Sequence, residues 1–490
     1  MMSCFILVCM KLFTFFSPRR QSTRGLRAGQ GISLLAVALI LFSFARGDIL
    51  IGDLPNLGQQ DIRAQNQETG AGLRYLSFLN AQGMTTQDPG LTYYLEQSTL
   101  PLLPAFSSDG TSRDLIIFGI NHRSFNAFAL PGGLIGVHDG LLDMLTETSE
   151  VQAILAHELG HLALGHHQRL AQARRQSTGL VIASILLAPL AWQVDPDLAI
   201  GMIYGAQGTA IQQQLAFSRS MEEEADRMAV TAMRSGGLPL NGLIGAYEAM
   251  ASAQRFQSGT AGTPYPTTHP DVRARLADLR NRIEGDPAAD AMAPDIPLCW
   301  IQLDRGLTVR ADDQRCEQYA AWHQANDTAE RYALWHEILD GHAASPYLLF
   351  RAADWLTNQA TSEDREALAE RLISYGELVP DNWLAALGLM QLHKEGVIEL
   401  PQRQWSQWRT ILMAEAPAND LLAWNTLRLA YPGEHERHRA FRAQAQTTWI
   451  NGDMDMAIRQ LRRAAELSET NSERSRWESQ LRNWERAQQR

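Results

Sequence analysis

Val151-Gln-Ala-Ile-Leu-Ala-His-Glu-Leu-Gly-His161 is the stretch on which the reading of this chain turns. Val151, Ile154, Leu155, Leu159 and Leu162 recur at helical spacing, so an amphipathic helix is expected. Ser149 followed three residues later by Gln152 fits a capping box at its start, and the pattern runs to about Leu170. On such a helix His157 and His161 stand four apart, and both imidazoles project from one face. That pair can bind one tetrahedral zinc ion, and Glu158 beside it is placed to act as general base in a hydrolysis. An ordinary helix with two surface histidines carries the same five letters, so the neighbouring segments must decide between the two.

Downstream, a second helix is expected from near Ser220 to the paired glycines Gly236-Gly237, which supply a C-terminal stop. Glu222 and Asp226 stand four apart on it, with Ala225 and Ala229 near the same face permitting close helix approach. Two facing helices then complete a three-ligand site, with Glu222 as third ligand. Glu223 and Glu224 read as the solvated start of that helix, where carboxylates suit the dipole. His166 and His167 lack ligand spacing and read as surface residues or neighbours of the ligands; His122 and His138 have no assigned role.

Upstream, Asp114 to Ile120 reads as a buried strand. Asn126-Ala-Phe-Ala-Leu-Pro-Gly-Gly-Leu-Ile-Gly-Val137 reads as a β-hairpin turning at Pro131-Gly132-Gly133. Between Gly179 and Ala210 lies an apolar stretch broken at Pro189, Gln193 and Asp195-Pro196-Asp197, each piece too short to span a bilayer. It is expected to be a helical hairpin, either part of the core or touching a membrane.

The whole chain has 490 residues, 45% of them hydrophobic, enough for two or three domains. Lys and Arg number 43 against 54 Asp and Glu, an acidic balance that argues against a nucleic-acid partner. The first 45 residues carry Lys11, Arg19, Arg20, Arg24 and Arg27, no acid, and an apolar run from Ile32 to Phe44. They read as an export signal cleaved near Ala45, with an uncleaved anchor as the other possibility. Translation starting at Met10 would shorten this leader. Cys4 and Cys9 leave with it, so Cys299 and Cys316 remain as an even pair in an oxidising compartment: either a disulfide or two buried thiols.

A Pro-, Ala- and Asp-rich link from Gly285 to Pro297 marks a boundary, beyond which the sequence is dense in Ala, Leu, Trp, Arg and Glu. Ala445, a turn at Gly452-Asp453, then Ala457, Leu461 and Ala464 match the small and large positions of a tetratricopeptide helix pair; a plain helical bundle is the alternative. The expected fold is mainly α. A gluzincin-type α+β metallopeptidase domain with a small sheet occupies 46–285, followed by a linker at 286–325 and a tetratricopeptide-like helical domain at 326–490.

Taken in order, NAFALPGG with IGVHDGLL, then HELGH, then EEEADRMA resemble the HtpX-like gluzincin metallopeptidases. Within them the chain is most similar to the branch of periplasmic beta-barrel assembly-enhancing proteases that carry C-terminal tetratricopeptide repeats. The resemblance implies one Zn²⁺ per chain, held by His157, His161 and Glu222, with Glu158 as catalytic base and Asp226 as a second catalytic carboxylate that orients one of the histidines. It implies that His269, in Thr267-Thr-His-Pro270, occupies the open zinc position and keeps the enzyme latent. The hairpin, with Asn126, Phe128, Pro131 and Gly132, would offer an edge strand to an extended substrate. Residues 179–210 would lie against a membrane without crossing it. The cysteine pair departs from the family pattern, lying just after the peptidase domain rather than at the chain's end.

The function so implied is periplasmic degradation of misfolded or misassembled outer-membrane beta-barrel proteins. The repeats would select substrates or dock on the barrel-assembly machinery, and a chaperone role in assembly would accompany proteolysis. Two other readings stand beside it: a repeat-domain chaperone or scaffold with a latent or vestigial zinc site, and an inner-membrane quality-control protease anchored by Ile32 to Phe44.

Overall fold

The computed structural model describes residues 70–109, 115–173, 219–258, 269, 272–286, 296–309, 313–342 and 344–488. The leader at 1–45 and the apolar stretch at 179–210 lie outside the described residues. Among the described residues, no helix is long and apolar enough to cross a membrane.

The amino-terminal half begins with α1 (residues 70–81) and α2 (Pro89–Thr99), the latter started by Asp88, whose side chain accepts from the Gly90 N–H. A three-stranded sheet follows: β1 (Ile116–Ile120), β2 (Ala127–Leu130) and β3 (Leu134–His138), in the order β1-β3-β2. β2 and β3 are the antiparallel arms of the expected hairpin, turning through Gly132 and Gly133, both at positive φ. β1 pairs in parallel with β3, and this leaves β2 at the sheet edge, packed beside the histidine helix.

That helix follows the short α3 (Asp139–Met144) and is α4 (Thr148–Ala163). Its capping box is formed by Glu147 and Glu150, not by Ser149 and Gln152 as the sequence suggested. The Glu150 carboxylate accepts from the backbone N–H of Thr146 (2.6 Å) and Glu147 (3.3 Å), so the helix starts before Ser149 can cap it. Nor does the helix continue to Leu170. It stops at Ala163, Gly165 takes φ +60°, and a separate helix α5 (His166–Ala173) begins. Val151 and Leu155 are fully buried, each contributing about 1.5–3 kcal/mol of burial free energy.

α6 (Arg219–Ser235) lies against α4, and Gly237 at φ +64° ends it as expected. The approach is close: a Cβ on Gly160 would sit 3.2 Å from the backbone of Ala225. α7 (Asn241–Ser258) and α8 (Val272–Ile283) complete this half.

Residues 286–325, expected as a linker, carry α9 (Leu298–Asp304) and α10 (Gln314–Gln324), joined by a Cys299–Cys316 disulfide. This part is docked on the amino-terminal half: Thr148 Oγ1 donates to the Ile296 carbonyl (2.9 Å), and Gln302 Nε2 donates to the carbonyls of Leu142 and Leu145 (2.8 Å each). Beyond it run α11 (Thr328–Gly341), α12 (Pro346–Thr357), α13 (Glu363–Gly376), α14 (Trp383–Lys394), α15 (Gln402–Glu415), α16 (Leu421–Ala430), α17 (Arg437–Ile450), α18 (Met454–Leu467) and α19 (Asn471–Gln488). α17 and α18 form the helix pair read from the sequence, with Gly452 at φ +87° in the turn.

The helical half packs on α1 and α2. Arg351 Nη2 meets Asp88 (2.7 Å), Asn382 donates to the Tyr93 hydroxyl (3.0 Å), Asn80 donates to Asn419 (2.6 Å) and Arg74 donates to the Ala487 carbonyl (2.6 Å).

Between α2 and α14, Trp383 Nε1–H donates to Glu96 (3.2 Å). Burial pushes the Glu96 carboxyl up to about 8, with Asp420 and Glu415 adding to the effect and the Trp383 hydrogen bond opposing it. The folded chain therefore holds a proton that the unfolded chain releases near pH 4.5, and stability from this group falls as pH rises from there to about 8. Glu96→Gln keeps an acceptor for Trp383 and removes the charge. It is expected to raise urea stability at pH 8.5 by on the order of 2 kcal/mol and to change little at pH 5. Equal effects at the two pH values would refute a buried, proton-holding Glu96.

Candidate metal centre

Two helices and one loop residue converge. α4 presents His157 and His161 one turn apart, α6 presents Glu222, and His269 enters just ahead of α8; all four side chains are buried. His157 Nε2 lies 3.0 Å from His161 Nε2, 3.3 Å from His269 Nδ1 and 3.4 Å from Glu222 Oε2. His269 Nδ1 lies 3.0 Å from Glu222 Oε2, and His161 Nε2 lies 3.5 Å from Glu222 Oε1. Four donors about 2.0–2.1 Å from a tetrahedral zinc ion stand about 3.3–3.4 Å apart. The separations above, two to Glu222 Oε2 and one to its Oε1, run from 3.0 to 3.5 Å. With one donor atom per residue all four lie within 4.8 Å of one another, close to the span of a zinc site. The donor set, three imidazoles and one carboxylate without sulfur, also suits zinc.

Around the cage, each member is held in turn. Asp226 Oδ1 lies 2.9 Å from His157 Nδ1, the placement by which a carboxylate orients a metal-binding imidazole, and it meets His157 rather than His161. Asp226 also receives Arg275 Nε (2.8 Å) and Nη2 (2.6 Å) and a short hydrogen bond from the Tyr247 hydroxyl. Arg275 extends Nη1 to Glu222 Oε2 (2.5 Å), so one guanidinium spans both α6 carboxylates, with the Tyr247 ring under it. On the other side His161 Nδ1 lies 2.8 Å from His166 Nδ1.

These contacts set the charge states of the side chains. Burial and the neighbouring histidines hold His161 well below its ordinary value, leaving it a neutral imidazole with a free lone pair to donate. Burial opposes the charge on Glu222, but the His269 charge and the His157 and His269 hydrogen bonds overcome it and hold the carboxyl far below its usual range. Asp226 is likewise held down against burial, by Arg275 and His157. Glu158 is almost fully buried, and its Oε1 lies 3.3 Å from His269 Nε2. His269 thus touches the cage with one ring nitrogen and Glu158 with the other.

All six site residues read from HELGH, EEEAD and the His-Pro loop meet here. The hairpin residues Asn126, Phe128, Pro131 and Gly132 lie apart from the cage, on and beside the edge strand that packs on α4. Cys299 and Cys316 are remote, in the α9–α10 unit. His138 is buried and shares Ser124 Oγ with His122 (2.6 and 2.7 Å), away from the cage.

Three residues escaped the sequence reading. Tyr247 gave no signal. Glu224 was taken as solvated, yet it meets His166 and Arg169. Arg275 did leave a trace: it sits three residues after Val272 and four before Leu279, on the face of α8 that is buried.

Fold and site together have the arrangement of a His-Glu-x-x-His metallopeptidase centre. Residues 94–283 match the model of peptidase family M48. A putative beta-barrel assembly-enhancing protease of Vibrio cholerae is 27% identical over 52% of this chain and 52% of its own length. The beta-barrel assembly-enhancing protease of Escherichia coli is 26% identical over 47% of each chain. The metalloprotease LoiP of Escherichia coli is 28% identical over 34% of this chain and 61% of its own. The chain spans about half the length of the two beta-barrel assembly-enhancing relatives.

Proposed function

We propose that the protein is a zinc-dependent endopeptidase of the periplasm, exported by residues 1–45, that degrades misfolded or misassembled outer-membrane beta-barrel proteins. The observation that carries the hydrolytic part is the cage of His157, His161 and Glu222 with Glu158 at its rim. The substrate class rests on the relatives named for beta-barrel assembly.

His157, His161 and Glu222 would hold one zinc ion per chain, which when bound would supply Lewis-acid polarisation of the scissile carbonyl and lower the pKa of water. The chain's residues do the rest. Glu158 takes the proton of the attacking water on a carboxylate oxygen and delivers it to the leaving nitrogen. Asp226 fixes the ring of His157 through Nδ1. An extended substrate adds to the edge of β2 by backbone hydrogen bonds, which gives affinity with little dependence on its side chains.

His269 restrains this chemistry, since it occupies the fourth corner of the cage and engages Glu158 at once. The helical half at 326–490 selects substrates or docks on the barrel-assembly machinery, and 179–210 gives peripheral membrane contact. A second reading is favoured by the same closed geometry: the helical half acts as a chaperone or scaffold and the site stays latent.

Residues 46–490, wild type and His269→Ala, are to be incubated with an unfolded outer-membrane protein while zinc content is assayed. His269→Ala is expected to keep one zinc and to cleave several-fold faster than wild type, with a chelator abolishing both activities. If both proteins bind one zinc and neither cleaves, the scaffold reading prevails; if neither binds zinc, the cage is misassigned.

A further inference from the structure

We infer that His166 and Glu224 are positioning residues for the metal: they hold His161 through its outer ring nitrogen, as Asp226 holds His157. The inference rests on the zinc-site reading above and extends it to two residues outside the His-Glu-x-x-His and Glu-x-x-x-Asp patterns.

With His161 Nε2 as the ligating atom, the order of protons along the line follows from the contacts. His161 turns Nε2 to the cage, where it stands 3.0 Å from His157 Nε2, and a ligating nitrogen carries no proton. The proton of the neutral ring is therefore on Nδ1, which donates to His166 Nδ1 at 2.8 Å. His166 then accepts on Nδ1 and carries its own proton on Nε2, which faces Glu224 Oε2 at 3.4 Å. Arg169 Nη1 fixes that same oxygen at 2.6 Å. The first link is short and the second long, so His166 carries most of the effect and Glu224 less.

The local fold exists to make the first link. His166 is five residues from His161, beyond its reach on a continuous helix, where i+3 and i+4 neighbours meet. The break at Gly165, with φ +60°, lets His166 turn back under the preceding turn with its side chain fully buried. A buried histidine joined to a ligand on one side and to a carboxylate on the other has the arrangement by which proteins orient metal-binding imidazoles.

The experiment compares zinc affinity of the mature chain, by competition with a chromophoric chelator, and the visible absorption of the cobalt(II)-loaded form. His166→Leu keeps bulk and is expected to lower zinc affinity about 10- to 100-fold and to change the cobalt bands. His166→Asn places an oxygen where Nδ1 was and is expected to restore most of the affinity. His166→Gln, equally polar but reaching the Nε2 position, is expected not to restore it, and this pair still decides the matter if the leucine variant does not fold. Glu224→Gln should fall between wild type and His166→Leu.

If asparagine and glutamine variants bind zinc alike, or if His166→Leu matches wild type in affinity and cobalt spectrum, the relay is wrong and the zinc site stands. A wild-type protein that takes up no zinc overturns both.

Discussion

Glu158→Gln is expected to bind zinc as wild type does and to lose about 10²- to 10⁴-fold in kcat/KM for peptide cleavage. Glu158 lies between the two ligand histidines in sequence but outside the four-residue cage, so its change leaves the donors in place. Glutamine matches it in size and still offers an oxygen to His269 Nε2, which Glu158 meets at 3.3 Å. What glutamine cannot do is accept the water's proton. Activity and zinc content should be measured on one preparation, because loss of both would report a collapsed site rather than a missing base. Cleavage within tenfold of wild type would assign the base elsewhere. The most effective background is His269→Ala, where the competing contact is gone.

The second large effect is expected at Arg275. Arg275→Met fills similar space and should cost about 3–5 kcal/mol of stability in the zinc-free protein, because it strands charges that are buried together. The guanidinium is only 3% exposed and bonds to Glu222, to both oxygens of Asp226 and to Tyr247. Without it, Asp226 keeps the Tyr247 hydroxyl and His157, and Glu222 keeps only histidines. Arg275→Lys retains the charge but cannot bridge two carboxylates, so an intermediate loss is expected. Adding Asp226→Asn to Arg275→Met removes one stranded charge and should recover part of the loss, a coupling that urea titration of the four proteins measures. A loss below about 1 kcal/mol for Arg275→Met would show that the carboxylates do not depend on it.

Most of the residues that meet in the candidate site could be read from the sequence because helices impose a period. HELGH and EEEAD each place two groups on one face, and the small residues Ala225 and Ala229 announced a close approach, which Ala225 makes at Gly160. The hairpin was readable from Pro131-Gly132-Gly133, and the end of α6 from Gly236-Gly237, since turns and stops have local chemistry. The start of α4 was misplaced by two residues because two capping patterns overlap, Glu147 with Glu150 and Ser149 with Gln152. Only three-dimensional hydrogen bonding from Thr146 and Glu147 chooses between them. The end of α4 was overrun because one glycine among Leu164, Gly165 and His166 is a weak signal against a long apolar period. Glu224 looked solvated for a related reason: its partners His166 and Arg169 lie 58 and 55 residues away. Arg275 was hidden by its charge, since a pattern reading assigns arginine to the surface unless its partners are known.

The contact between Arg74 and the Ala487 carbonyl, with Gly452 pressed on Ala81, has a mechanical meaning for the helical half. An open array of helix pairs frays from its last unit, which has a neighbour on one side alone. Here the last helix is a clasp: α19 is fastened to α1, and α1 in turn leads into the peptidase core. Loosening the carboxyl-terminal end therefore also frees the beginning of the amino-terminal half, and the helical array closes onto that half instead of ending in a loose tip.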